Sequence, residues 1–438
     1  MSFQTLDLDA QLLRNIEQQG YSVATPIQKK AIPAVLAGRD VVGLAQTGTG
    51  KTAAFVLPLL QRLLSGPRRR LRALIIGPTR ELAEQTKEVL LALGDKTGFR
   101  HVTIYGGVGM QPQINGLRQG AEIAIACPGR LLDLLGQGKA ALDHVECLVL
   151  DEADRMFDMG FLPDIRKILK RLPARHQTLL FSATMPDEIR TLAHEILHDP
   201  VTVQIAHSMP AATVDHALYP VAQGQKTALL LDLLQTLGDG SVLVFTRTKH
   251  RAKRLAVQLA AAGHRAASLQ GNLSQRQRQD ALDGFKSGRH QILVATDLAA
   301  RGIDVANITH VINLDMPTTV DDYTHRIGRT GRAAKTGDAF TFTTPEDEGT
   351  VRAIERRLGF KIERRRFDGF DYSSRPAPLE APSHVRSPSR KHAQGPRNST
   401  ARKSGGPPSG KSGSKPRANT PGRVRSFGPA KAKRRLSR

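Results

Sequence analysis

Short apolar, β-branched runs recur through the first 365 residues, each bounded by polar or turn-forming residues and followed by a stretch with helical spacing. VVGLA after Asp40, ALIIGP after Arg72, ECLVL after Val145 and TLLFS after Gln177 form one set. VLVFT after Ser241, ILVAT after Gln291, VINL after His310 and FTFTT after Ala339 form a second, interleaved with helical stretches such as Lys249 to Ala262. Strands that read as continuous apolar runs are buried on both faces, which is the pattern of a parallel sheet covered by helices. The pattern predicts two α/β domains, residues 1–207 and 215–365. The less apolar segment 208–214 is the expected linker.

The pattern stops before residue 373. From Ser373 to Arg438, 29 of 66 residues are Ser, Pro or Gly, and large apolar side chains almost vanish. Such a segment cannot bury enough surface to offset its ordering entropy. Residues 366–438 are therefore expected to form a disordered basic tail. From Ser373 onward it holds 17 Lys or Arg and one acid, Glu380, so it carries +16 of the chain's +24 and leaves +8 on residues 1–372. This balance favours a polyanionic partner, nucleic acid before an anionic membrane surface; a solubilising role for the tail is the alternative.

No apolar run approaches the roughly 20 residues needed to span a bilayer, and the N-terminus lacks a basic region followed by an apolar one. Cys127 and Cys147 have neither metal spacing nor a disulfide framework. The expectation is a cytoplasmic protein with no membrane partner.

The first strand runs into Gln46-Thr47-Gly48-Thr49-Gly50-Lys51-Thr52, a phosphate loop opening a helix. Ala45 stands where the full motif has its first Gly, but backbone N–H groups at the helix start still face the phosphates. Lys51 has the reach for the β/γ-phosphates and Thr52 can ligate Mg²⁺. A later strand ends in Asp151-Glu152, two carboxylates suited to holding Mg²⁺ and activating the attacking water, respectively.

Asp151-Glu152-Ala153-Asp154 is similar to the name-giving motif of the DEAD-box RNA helicases, and motifs in that family's order continue from Phe3 to about residue 345. The resemblance implies two tandem RecA-like domains and ATP hydrolysis with Mg²⁺. It extends to the bacterial RhlE-like group, a minimal core plus basic tail. Thr25 and Gln28 resemble the adenine-reading Q motif, with Phe3 as the upstream aromatic. Ser182 and Thr184 resemble the coupling motif whose hydroxyls bond the Asp154 cluster. In the run from Tyr323 to Arg332, Arg329 and Arg332 match the arginine fingers, and His325 and Arg326 match residues that join the interdomain network. Gly302 and Asp304 are implied at the ribose. Arg80, Gly107, Gly129, Arg130, Thr246, Gly271, Thr296 and Arg301 are implied at RNA.

Contacts of that kind grip backbone, so the implied partner is RNA, as single strands and short duplexes, with little sequence preference. Ribosomal precursors or an RNA-degrading assembly are implied only at group level. Cys127 and Gln270 depart from the usual Thr and His, which puts individual RNA contacts in question. Taken singly, several signals have plainer explanations: an acidic helix cap at Asp151, a solvated basic face at Arg326 and Arg329, ordinary turns at Gly107, Asp297 and Asp304. A nucleotide-gated clamp, a basic RNA chaperone and a DNA helicase are the competing functions. Glu152, Arg329 and Arg332 together favour the helicase, because a clamp or chaperone does not need all three.

Overall fold

The computed structural model describes residues 2–46, 48–205, 214–300, 308–331 and 336–373. Two seven-stranded sheets, parallel throughout, follow one another along the chain. The first contains β1 (Val41–Leu44), β2 (Ala73–Ile76), β3 (His101–Ile104), β4 (Ile123–Ala126), β5 (Cys147–Leu150), β6 (Gln177–Ser182) and β7 (Val201–Gln204), in the order β3-β4-β2-β5-β6-β1-β7. Every residue of β2, β4, β5 and β6 is buried. One face packs against Phe55, Leu59 and Ile27, the other against Leu131, Ile165 and Leu192. Continuous apolar runs thus became strands covered on both sides, as the pattern predicts.

This order brings the carboxyl ends of β5, β6 and β1 side by side, the place where open α/β sheets bind ligands. Ser182 closes β6 between them, and its carbonyl accepts the Ala45 N–H at 3.0 Å. The phosphate loop and the acidic cluster therefore meet at one sheet edge although about 100 residues separate them.

The second sheet contains β8 (Val214–Pro220), β9 (Ser241–Phe245), β10 (Ala266–Leu269), β11 (Ile292–Ala295), β12 (Ile308–Asn313), β13 (Gly337–Thr343) and β14 (Glu363–Arg364), in the order β10-β11-β9-β12-β13-β8-β14. β8 begins at Val214, the last residue of the expected linker, and is not among the apolar runs that mark strands in the sequence. Val214 and the residues after it pair with β13 over seven positions and bury His216, Ala217, Leu218 and Tyr219. The signal was weak because a buried His and a Pro interrupt the run.

The start of the basic tail also moves. Phe367, Phe370 and Tyr372 pack on the core under β8, and the Tyr372 hydroxyl accepts the Phe367 N–H at 2.9 Å, so residues 366–372 belong to the folded surface. Residues 206–213, which hold most of the expected linker, and 374–438 lie outside the described residues. Both cysteines are free. Among the described residues no helix is long and apolar enough to cross a membrane.

Candidate nucleotide site and nucleic-acid interface

The helix Lys51–Leu64 starts from Gly50 at φ 88°, a left-handed conformation open to glycine, and Gly48 has φ 87°. A Cβ on Gly50 would also run into the Gln28 amide. Gln28 is buried. Its side-chain oxygen accepts the Thr25 N–H at 2.9 Å and its nitrogen donates to the Gly50 carbonyl at 3.1 Å. The expected adenine-reading amide thus fastens its own helix start to the phosphate loop, and one N–H and one lone pair remain for a base. Thr49 caps the loop from within, its hydroxyl donating to the Gln46 carbonyl at 2.7 Å. Thr47 lies outside the described residues.

The cleft above this loop is lined by Tyr21, Gln28, Lys51, Thr52, Asp151 and Glu152, among others. Lys51 is buried, and its ammonium has no hydrogen-bond partner among the described residues. Phe3 is only 3% exposed and stacks on Tyr21, with ring centroids 6.5 Å apart; Tyr21 is 39% exposed. Both rings line the cleft, Phe3 mostly covered and the larger exposed face that of Tyr21. The Gly20-Tyr21 pair just before the Thr25-Pro26 helix start carried the signal that would have identified it.

Asp151 extends β5, its N–H donating to the Ile76 carbonyl at 2.9 Å, and one carboxylate oxygen accepts the Glu152 N–H at 3.0 Å. Burial pushes its pKa up to about 7, against the pull of Lys51 and with the help of neighbouring Glu152. Glu152, at φ 54°, turns the strand into the helix Ala153–Asp158 and faces Arg155 at 3.4 Å, both buried. Asp154 goes the other way. Burial raises it, but Lys51, His325, Arg155 and the Ser182 hydroxyl together hold it below the usual carboxylate range.

One Asp154 oxygen accepts both the N–H and the hydroxyl of Thr184, at 2.9 and 3.0 Å. The Ser182 hydroxyl also accepts the backbone N–H of Asp154 at 3.1 Å, and its bond to the Asp154 side chain is among the contacts that lower that carboxyl.

From the second sheet, His325 and Arg329 line a cavity with Arg155 of the first. Burial, then Arg155, pushes His325 down to about 4, despite Asp154. Arg326 lines the same cavity, but its hydrogen bonds run within the second half. Its guanidinium is spent at home, donating to both Asp297 oxygens at 2.6 and 2.8 Å, to Asn313 at 3.1 Å and to the Asp315 carbonyl at 2.8 Å. Asp297 is thus this arginine's partner. Arg332, Arg301, Gly302 and Asp304 lie outside the described residues.

A second cleft brings Arg80, Gly129 and Arg130 from the first half together with Gly271 from the second. Gly107, at φ 78°, lies against the Arg80 guanidinium, and any Cβ there would collide with it. Thr296 is half-buried at the end of β11, where its carbonyl accepts the N–H groups of Ala299 and Ala300. Thr246 does not reach this surface: it is fully buried, and its hydroxyl turns back to the Thr248 carbonyl at 3.4 Å. Gln270 is buried too, its oxygen accepting the Asn272 N–H at 2.7 Å. Burial raises the Cys127 thiol to about 12, so it stays protonated at the cleft wall.

Two links across this cleft had no sequence signal. Arg278 donates to Glu81 at 2.7 Å, and Arg80 to Gln275 at 3.3 Å.

The fold and site define an ATP-driven motor of two parallel-sheet halves, and comparison fixes the class. The DEAD/DEAH box helicase family matches residues 25–192, and the helicase conserved C-terminal domain matches 225–334. The chain belongs to the DEAD-box ATP-dependent RNA helicases, which are ATP-hydrolysing enzymes. It is 44% identical over 364 residues to CshA of Geobacillus kaustophilus, covering 83% of this chain and 78% of that one. It is 42% identical over 365 residues to CshA of Bacillus subtilis, covering 83% and 74%. Among solved structures, S. cerevisiae Dbp5 bound to RNA and ADP BeF3 is 30% identical, with a TM-score of 0.75 over 84% of this chain and 96% of that one. Mss116 bound to ssRNA and UDP-BeF is 26% identical, with a TM-score of 0.78 over 85% and 81%.

Proposed function

We propose that this chain closes and reopens its two halves on RNA as ATP is bound and hydrolysed, separating short duplexes locally and remodelling RNA or ribonucleoprotein. The carrying observation is Asp154. One buried carboxylate feels Lys51 from the phosphate loop and His325 from the second domain while it grips Thr184. A change of charge at the nucleotide is therefore felt by both halves.

Lys51, with the N–H groups of Gly48, Thr49 and Gly50 and flanking Gln46 and Thr47, holds the phosphates. Phe3 and Tyr21 together supply the aromatic stack for the base, and Gln28 spends its remaining donor and acceptor on the adenine edge. Glu152 takes the proton from the attacking water. Arg329 and Arg332 stabilise the transferring phosphoryl group, a role worth about 10³ to 10⁵ in rate. Gly302 and Asp304 hold the ribose.

Asp151 and Thr52 are hard oxygen donors that suit Mg²⁺. The buried Asp151 carboxylate is held at a raised pKa, which an added cation would reverse. Mg²⁺ bound there supplies positive charge for the phosphate oxygens.

Arg80, Gly107, Gly129, Arg130 and Gly271 grip phosphates, with Thr296 and Arg301 beside them, so single strands and short duplexes bind with little regard to sequence. A two-domain core followed by a +16 segment is an RhlE-like arrangement, although the curated relatives carry the name CshA. It suits a cytoplasmic generalist acting on ribosomal precursors or in RNA turnover. Comparing RNA-stimulated ATP hydrolysis in the wild type and Glu152→Gln tests the assignment of roles. The variant should bind RNA in the presence of ATP but turn over at least about 10²-fold more slowly, and undiminished turnover would sink it.

A further inference from the structure

We propose a second RNA-binding patch on the outer edge of the second domain, in which Phe360 stacks on a base and Arg356, Arg357, Lys361 and Arg366 hold the flanking phosphates of a single strand. Such a patch has a role only if the chain is the RNA-dependent ATPase proposed above.

The local structure makes this surface. The helix Glu348–Leu358 buries Val351, Ile354 and Leu358, which turns Arg352, Arg356 and Arg357 to solvent. Gly359, at φ 80°, ends the helix in the left-handed conformation and throws Phe360 outward. Phe360 is 41% exposed, and no other Phe among the described residues is exposed. One side of its ring is held by His216, with centroids 5.6 Å apart at 68°, and His216 is in turn bonded to the Tyr323 hydroxyl at 2.8 Å. The ring is braced from behind and open in front.

Its surroundings are cationic. Residues 348–366 contain seven Lys or Arg and three Glu. The acids are already matched: Glu348 by Arg352, Glu355 by Arg364, Glu363 and nearby Asp215 by Arg365. Arg356, Arg357, Lys361 and Arg366 are exposed and have no ion pair among the described residues. Arg356 only donates to the Arg352 carbonyl at 3.3 Å, and Arg366 lies over the Tyr372 ring at 5.1 Å. An exposed aromatic alone is ordinary, but one set among unmatched cations is the makeup of a single-strand platform.

Position separates this patch from the cleft. Gly271 and Arg278 of the cleft follow β10 at one edge of the second sheet, whereas β14, between Lys361 and Arg366, forms the opposite edge. Six strand spacings of about 4.8 Å put these edges about 30 Å apart. A strand that fills the cleft reaches the patch only if it continues well past it. Seven residues after Arg366, beyond Asp368 and Asp371, begins the +16 segment.

Full-length protein carrying Phe360→Ala, or Arg357→Ala with Lys361→Ala, tests the patch by anisotropy with single-stranded RNAs of about 8 and about 30 nucleotides. Both variants should bind the long RNA at least about fivefold more weakly. The double variant should flatten the log-log salt slope by about 0.7 for each lost contact. Binding of the short RNA, and the ATPase it stimulates, should not change. Unchanged long-RNA affinity in both variants would overturn the patch. Polyglutamate displacing long RNA from the wild type but not from the double variant would give the surface to an acidic protein instead. Failure of any RNA to stimulate the wild-type ATPase would overturn the helicase reading beneath it.

Discussion

Gln28 donates its side-chain amide to the Gly50 carbonyl at 3.1 Å while accepting the Thr25 N–H at 2.9 Å, so the residue expected to read the base also holds the phosphate loop. Gln28→Ala removes both bonds and frees the loop. At about 1 kcal/mol each, their loss should raise the KM for ATP by about tenfold or more. Tyr21→Ala should also raise the KM, with kcat little changed, because stacking on a base is equal in ground and transition states. Steady-state kinetics over ATP concentration check both. A Tyr21→Ala variant with wild-type KM would leave the base to Phe3 alone.

The ion pair between Glu81 and Arg278, at 2.7 Å and nearly buried, joins the two halves at the cleft that also holds Arg80, Arg130 and Gly271. Glu81→Ala and Arg278→Ala should each lower RNA-stimulated hydrolysis, and the double variant should be no worse than the worse single one. The coupling should measure about 0.5–3 kcal/mol. Strict additivity would mean the pair is incidental.

Asp151 links the nucleotide site to pH. Its pKa is raised by burial from 3.8 to about 7, so its contribution to stability is fully present below about pH 4 and is lost as pH rises to about 7. His325, lowered from 6.5 to about 4, acts in the opposite sense: its contribution is present above pH 6.5 and is lost as pH falls through about 4. The melting temperature of the wild type minus that of Asp151→Asn isolates the first effect. It should fall between pH 4 and 7 and level off above. Affinity for Mg²⁺ with ATP should rise over the same interval as the carboxylate ionises. A difference that does not vary with pH would show that Asp151 titrates normally.

Deleting residues 373–438 removes +16 of charge. RNA affinity should fall and the salt slope should flatten by about 0.7 for each lost phosphate contact. Titrations at several salt concentrations read this directly, and an unchanged slope would leave the segment a solubiliser.

Much of the fold was legible because buried parallel strands are simply apolar: β1, β2, β5 and β6 stand out in the sequence, as do their partners in the second half. β8 was not legible, since His216 and Pro220 hide a strand whose burial comes from neighbours far along the chain. Motif residues that act through backbone or charge, such as Gly50 and Lys51, were found from local pattern. Side-chain direction was not. Arg326 turns inward to Asp297, Thr246 is buried, and Phe3 leaves the larger exposed ring face to Tyr21, outcomes set by packing that spacing does not encode. The Gln28 staple had a readable signal, because Thr25-x-x-Gln28 is a capping-box spacing. Glu81 with Arg278 had none, since nothing local marks two residues 197 positions apart.

On the function proposed above, RNA and ATP act on one another through the two halves. Separation of a short blunt RNA duplex, measured beside ATP hydrolysis with and without RNA, tests it most directly. Hydrolysis should accelerate on adding RNA, and the strands should part only when ATP is present. Hydrolysis indifferent to RNA, or strand separation equally fast without ATP, would contradict it.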